Sequence, residues 1–219
     1  MLKIILIALG LLLALVYANA IFSVLFSVVM RLGMTPGSSA LKFPTASYGK
    51  KGRKVLIAYA SRAGSTAEAA EIIGQTLGEA GFIANVMNLK EVKDLSAYDI
   101  FILGTAVRAG KTMPEFEKFV SANLPVFNSK PVSIYLFCMT LSQDTPENRK
   151  KAAGYFASVK QKLKPASEGY FAGRMDYSKL NFIARFAVEK RVKVPQGDFM
   201  KIEEIRKWAL EAAAIKAEI

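Results

Sequence analysis

The stretch Ser61-Arg62-Ala63-Gly64-Ser65-Thr66 sets three hydroxyls and a glycine in a single short turn. Such a turn suits an anion. Hydroxyls donate to it, glycine lets the backbone come close, and a helix start adds free N–H groups and the positive end of its dipole. Neither G-x-x-x-x-G-K-S/T nor G-x-G-x-x-G is present, so the fingerprints of nucleoside-triphosphate and dinucleotide loops are missing. A hydroxyl-lined turn without lysine fits a phosphate monoester that is held and not transferred. Ser and Thr are also ordinary N-cap residues, and that plainer role stands beside the first.

A second candidate loop, Thr105-Ala106-Val107-Arg108-Ala109-Gly110, is small and carries one cation. Arg108 is the candidate catalytic residue, either stabilising negative charge on a reduced cofactor or gripping an acidic substrate; a solvated surface arginine is the alternative. Thr140 and Leu141, after a later strand, complete the candidate cofactor contacts. The chain has no histidine and a single cysteine, Cys138. The common general base, a serine–histidine pair, histidine-ligated metals and a cysteine-rich zinc site are thereby excluded. Glu68 with Glu71, and Glu203 with Glu204, read as solvated helix charges. Redox chemistry on this chain therefore requires a bound cofactor, with the protein supplying position and charge.

Both turns follow apolar runs. Val55-Leu56-Ile57-Ala58 before the first and Tyr98 to Gly104 before the second read as strands buried on both faces. Residues 81–89, 131–138 and 170–175 supply three more. Helical patterns fall between them: residues 67–78, a helix from Met113-Pro114 with Phe116, Phe119 and Val120 on one stripe, and another with Tyr155, Phe156, Val159 and Leu163. A closing helix over 199–218 has Asp198 at its start. This alternation predicts an α/β fold with a doubly wound five-stranded parallel sheet, whose ligands sit at the carboxyl ends of the strands.

From Ile4 to Met30 no residue is charged. About 20 residues rising 1.5 Å each cross the hydrocarbon core, so the run is long enough to span a bilayer even when tilted. Ala18-Asn19-Ala20 offers a signal-cleavage pattern, but the apolar run continues through Phe22, Leu25, Phe26 and Val28, which favours an uncleaved anchor. Lys3 precedes the run, whereas Arg31, Lys42, Lys50, Lys51, Arg53 and Lys54 follow it and no acid appears before Glu68. Positive charge stays inside, which predicts a single-pass membrane protein with its soluble domain on the cytoplasmic side. The division is then 1–31 transmembrane anchor, 32–53 basic polar tether and 54–219 cofactor-binding domain.

The formal net charge is +12, and much of it lies before Val55. Near an anionic membrane each Lys or Arg contributes about 1 kcal/mol, so lipid is the expected partner. Nucleic acid is not, because no recognition module accompanies the charge. A lone cysteine, unable to form an internal disulfide, agrees with a reducing compartment.

The spacing S-x-x-G-S-T after a first parallel strand resembles the FMN phosphate loop of flavodoxins, written S/T-x-S/T-G-x-S/T, with Ala63 where many of them carry Thr. That resemblance implies a flavodoxin-like fold and FMN as cofactor, with Ser61 to Thr66 around its phosphate and Thr105 to Gly110 flanking its ring. Over residues 54–212 the chain also resembles the menaquinone-dependent protoporphyrinogen oxidase branch of that family. The stretches concerned are Gly104 to Gly110, Thr145-Pro146-Glu147-Asn148-Arg149-Lys150-Lys151-Ala152 and Gly173-Arg174-Met175-Asp176-Tyr177. Combined with the anchor, this implies a membrane-bound FMN-dependent oxidoreductase passing electrons from a small-molecule or tetrapyrrole donor, such as protoporphyrinogen IX, to membrane quinone.

A porphyrinogen bears two propionates and a broad apolar face. Arg108, Arg149, Lys150, Lys151, Arg174, Lys179 and Arg185 are accordingly candidate cations, and Tyr155, Tyr177 and Phe182 candidate surface. Two alternatives stay open: an anchored electron-transfer module with no substrate of its own, and a non-redox adaptor with a degenerate flavin site. The oligomeric state is not legible in the sequence.

Overall fold

The computed structural model describes residues 9–10, 13–24, 45–61, 64–179, 185–186, 188–189 and 194–215. Residues 13–24 are helical, with Leu13, Leu15, Val16, Tyr17, Ile21 and Val24 exposed. The expected span over 1–31 lies partly outside the described residues. Among those described, no helix is long and apolar enough to cross a membrane.

Seven strands build the main sheet. In chain order they are β1 (Ala46–Tyr48), β2 (Lys54–Ala60), β3 (Ile83–Asn88), β4 (Ile100–Arg108), β5 (Lys111–Thr112), β6 (Val132–Cys138) and β7 (Ser167–Ala172). Their spatial order is β1-β3-β2-β4-β6-β7, with β5 on β4. The pairs β3–β2, β2–β4, β4–β6 and β6–β7 are all parallel, so the five-stranded parallel sheet expected from the apolar runs forms the body of the domain.

Side chains alternate between faces along a strand, and β2 divides accordingly. Val55, Ile57 and Tyr59 join one buried cluster with Ala70 and Ile73 of helix α1 (Ser65–Glu79). Leu56, Ala58 and Ala60 join the other with Phe116 of α2 (Pro114–Ala122) and Ala152 of α3 (Pro146–Gly154). The last helix, α4 (Ile202–Ala214), returns to the first cluster through Ile205, Trp208 and Ala209. With both faces covered, the central strands need apolar residues at every position, which is why they read as continuous runs.

Three expectations are corrected. The stretch 32–53, read as a tether, contributes β1, which pairs antiparallel with β3 from Ala46↔Val86 to Tyr48↔Ala84. Tyr48 seats against Gly78 of α1, where a Cβ would stand 2.6 Å from the tyrosine Cβ, and its hydroxyl donates to Glu71 Oε2 at 2.7 Å. The fifth parallel strand is Ser167–Ala172 and not 170–175. It is an edge strand aligned on β6 from Ser133↔Ser167 to Cys138↔Ala172, and an edge tolerates the polar start Ser167-Glu168. After Gly173 the chain forms β8 (Arg174–Met175), paired antiparallel with β9 (Gly197–Asp198). Asp198 consequently sits in β9 and does not cap α4, whose N-cap position is Lys201 with no side-chain cap.

Candidate functional site

The strand after β2 in space is β3 on one side and β4 on the other, so the connections leave β2 and β4 in opposite directions and a crevice opens at their carboxyl ends. The first loop lies there. Gly64 occupies the N-cap of α1 with φ 103°, a left-handed conformation that glycine adopts without strain. Its N–H donates to Ser61 Oγ at 3.3 Å, and its carbonyl accepts from Ala67 and Glu68 N–H at 3.0 and 2.9 Å. The N–H groups of Ser65 and Thr66 are thus left for partners outside the helix. Arg62 and Ala63 lie outside the described residues.

Thr66 carries the strongest signal in the loop. It is 1% exposed, and among the described residues its hydroxyl has no hydrogen-bond partner. A buried polar group without a partner costs about 1–3 kcal/mol, which an incoming acceptor removes. Ser65 Oγ, also buried, accepts from the backbone N–H of Arg174 at 3.3 Å. Beneath them the Tyr135 hydroxyl donates to the Thr66 carbonyl at 3.3 Å. The phenol passes Gly104 so closely that a Cβ there would lie 2.1 Å from Tyr135 Cζ. Full burial pushes the Tyr135 pKa well above its ordinary value, with Tyr59 adding to the effect, so the hydroxyl remains a donor.

The second loop is a β-hairpin. β4 continues through Thr105, Ala106 and Val107 to Arg108, then reverses over Ala109 and Gly110 into β5, with Val107↔Thr112 and Arg108↔Lys111 in register. Ala109 at φ 47° and Gly110 at φ 74° make a two-residue turn of the left-handed type that matches strand twist. Thr105 is fully buried and accepts from Met113 N–H at 3.2 Å, tying the base of the hairpin. Arg108 is half-buried. A Cβ at Gly110 would be 3.9 Å from the Tyr155 ring, and the Tyr155 hydroxyl lies 2.9 Å from Thr140 Oγ1. Thr140 and the hairpin tip therefore meet across Tyr155, whereas Leu141 turns into the core cluster.

The candidate cations are dispersed. Arg149 pairs with Asp144 at 2.5 Å and Arg174 bridges Asp198 at 2.6 Å and Glu68 at 3.3 Å, while Arg185 faces Glu189 at 3.8 Å. Lys150 and Lys151 are exposed on α3. The Tyr177 hydroxyl donates to the Val194 carbonyl. Phe182 and the side chain of Lys179 lie outside the described residues. Sequence reasoning did not foresee that Gly173 and Arg174 approach Ser65 of the first loop; the Gly-Arg step after the last apolar run is the one local hint. A cleft of about 20 Å³ between Leu141, Tyr170, Phe199 and the Asp144–Arg149–Lys201 ion pairs holds about one water, too little for a cofactor. Among the described residues no cluster of His, Cys, Asp and Glu is set to bind a metal.

Comparisons with known proteins bear on the fold. A family model described as a flavodoxin domain matches residues 56–201. The chain is 26% identical over 150 residues to protoporphyrinogen IX dehydrogenase (quinone) of Escherichia coli strain K12, covering 66% of this chain and 82% of that protein. A short-chain flavodoxin associated with a non-canonical PDU bacterial microcompartment superposes with a TM-score of 0.51 at 14% identity, over 74% of this chain and 97% of that one, which is a likeness of fold. Oxidised flavodoxin 1 from Bacillus cereus gives a TM-score of 0.48 at 16% identity, over 74% and 99% of the two chains.

Proposed function

The chain belongs to the flavodoxin-domain family, and on that premise we propose that it is a membrane-anchored, FMN-dependent oxidoreductase taking electrons from a donor such as protoporphyrinogen IX and delivering them to membrane quinone. FMN is the cofactor the family implies, and the loop fits it. The observation that carries this is the buried Thr66 hydroxyl, unpartnered among the described residues, at the head of a 15-residue helix whose first N–H groups point out of it.

When bound, the flavin supplies the electron-transfer chemistry that this histidine-free chain lacks. The residues around it supply position and charge. Ser61, Ser65 and Thr66 with the Gly64 turn would hold the phosphate; the β4–β5 hairpin, with Thr105 tying its base, presents Ala106, Val107 and Arg108 beside the crevice. Arg108 is the cation set to meet a substrate carboxylate or excess negative charge in the crevice. Support for the donor is the relative's name and the sequence resemblance over residues 54–212. Support for the anchor is the uncharged run Ile4 to Met30 and the exposed apolar side chains of helical residues 13–24. Support for a cytoplasmic domain is the charge asymmetry around that run.

The full-length protein in detergent is expected to show the visible spectrum of bound FMN and to oxidise protoporphyrinogen IX only when a quinone is added. A colourless protein that refuses FMN would leave the adaptor role, and a flavin-loaded protein with no quinone-dependent oxidation would leave a pure electron carrier.

A further inference from the structure

We propose that β1 turns the cofactor edge of the domain toward an anionic lipid surface, so that the bilayer faces the carboxyl ends of β2 and β4. This orientation presupposes the anchored chain proposed above and adds a direction to it.

All strands of the parallel body run toward the crevice, and β1 runs the other way. Traced from Tyr48 back to Ala46, the chain climbs from the level of Ala84 to that of Val86, toward the carboxyl end of β3. Thr45 fixes the direction: its hydroxyl donates to Glu91 Oε2 at 2.7 Å, and Glu91 belongs to the turn Leu89–Glu91 that leaves β3 at that same end. The apolar N-terminal run therefore joins the domain at the edge that carries the phosphate loop. A β1 parallel to its neighbour would have joined it at the opposite edge.

Distances favour contact. Ala46 and Ile57 both pair with Val86, so they are level, and Ser61 stands only about 13 Å further along at 3.3 Å per residue. Even fully extended, the chain from Arg31 to Thr45 reaches about 50 Å at most. Charge on this edge is mixed, with Lys90 in the turn after β3 and Lys111 on the hairpin exposed beside the exposed Glu91. Lys50, Lys51 and Arg53 make the opposite demand. They follow β1 at the amino end of the sheet, where a membrane held by that basic cluster would leave the crevice facing away. Entry of the chain at Thr45, on the crevice edge, is the observation that weighs against that cluster, since a tether raises the effective concentration of lipid most where it is attached.

The seven residues of β2 separate the two ends by about 23 Å, enough to resolve by energy transfer. Full-length protein carrying Lys111→Cys or Lys51→Cys is labelled with a donor fluorophore, native Cys138 being buried, and reconstituted into vesicles of phosphatidylcholine and phosphatidylglycerol with a headgroup-linked acceptor. Flotation is scored first. Co-floating protein with transfer at least about two-fold stronger from position 111 than from position 51 is the expected result, given that separation. Equal or reversed transfer in co-floating protein overturns the orientation and leaves the anchor standing. Protein that stays at the bottom of the gradient overturns the anchor, and the orientation with it.

Discussion

Tyr135 and Thr66 sit in different layers of the domain and meet through one hydrogen bond of 3.3 Å, from the phenol to the first-turn carbonyl of α1. A strand thereby fixes the height of α1 above the sheet, and Gly104 is the residue that lets the ring pass. Tyr135→Phe is expected to lower the unfolding free energy by about 1 kcal/mol and to weaken FMN retention. Gly104→Ala, by overpacking the ring, should cost about 1–3 kcal/mol. Urea melts of the two variants check both values.

Thr66→Val separates ligand binding from folding because its two effects have opposite signs. The hydroxyl is buried and lacks a partner among the described residues, so an apolar group of the same shape should leave the flavin-free protein as stable, or more stable by up to about 1 kcal/mol. FMN affinity should fall about ten-fold, equivalent to one lost hydrogen bond. Fluorescence titration with free FMN reads the second effect. A variant with unchanged FMN affinity would remove this side chain from the site.

Ala109 holds φ 47° in the hairpin turn, a conformation in which Asn or Gly carries less strain. Ala109→Asn is expected to raise stability by about 0.5–1 kcal/mol, seen as a higher Tm, with the flavin spectrum unchanged. Arg108→Ala, one residue earlier, should leave FMN bound while altering substrate affinity or redox behaviour.

Arg174 fastens the β8–β9 ribbon to the head of α1, bridging Asp198 and Glu68 while its N–H binds Ser65. Burial alone would raise the Asp198 pKa, but the hydrogen bonds from Arg174 and Met200 N–H outweigh it and hold the carboxyl below its ordinary value. A lowered folded-state pKa adds stability that is complete above about pH 4, the unfolded value, and is lost as pH falls through the folded one. The pair is nearly half exposed, so a few tenths of a kcal/mol is the expected size. Asp198→Asn should therefore be slightly less stable than the parent at pH 7, with the gap closing below pH 4 in acid melts. Arg174→Ala should also speed FMN release.

The central strands were legible because burial on two faces forces unbroken apolar runs such as Val55 to Ala58, a pattern that survives without knowledge of any partner. The first loop was legible as a candidate anion site for a similar reason: its hydroxyls and glycine are local, all within Ser61 to Thr66. β1 was not, since Ala46-Ser47-Tyr48 has no period of its own and becomes a strand only by pairing with β3. The Ala109-Gly110 reversal was missed because a hairpin arm of two residues is too short to show alternation. Pairing of Arg174 with Glu68 was likewise out of reach, as the two are 106 positions apart in the chain.

The three-residue strand that enters the domain ahead of β2 also covers β3, whose outer row of amide donors and acceptors would otherwise stand open. A protein cut to begin at Lys54 would keep every residue of the cofactor crevice described above and still present a bare, adhesive border to its neighbours. Soluble versions intended for crystallisation or assay should therefore start before Thr45; clumping of the shorter form would reflect the lost cover and say nothing about the flavin.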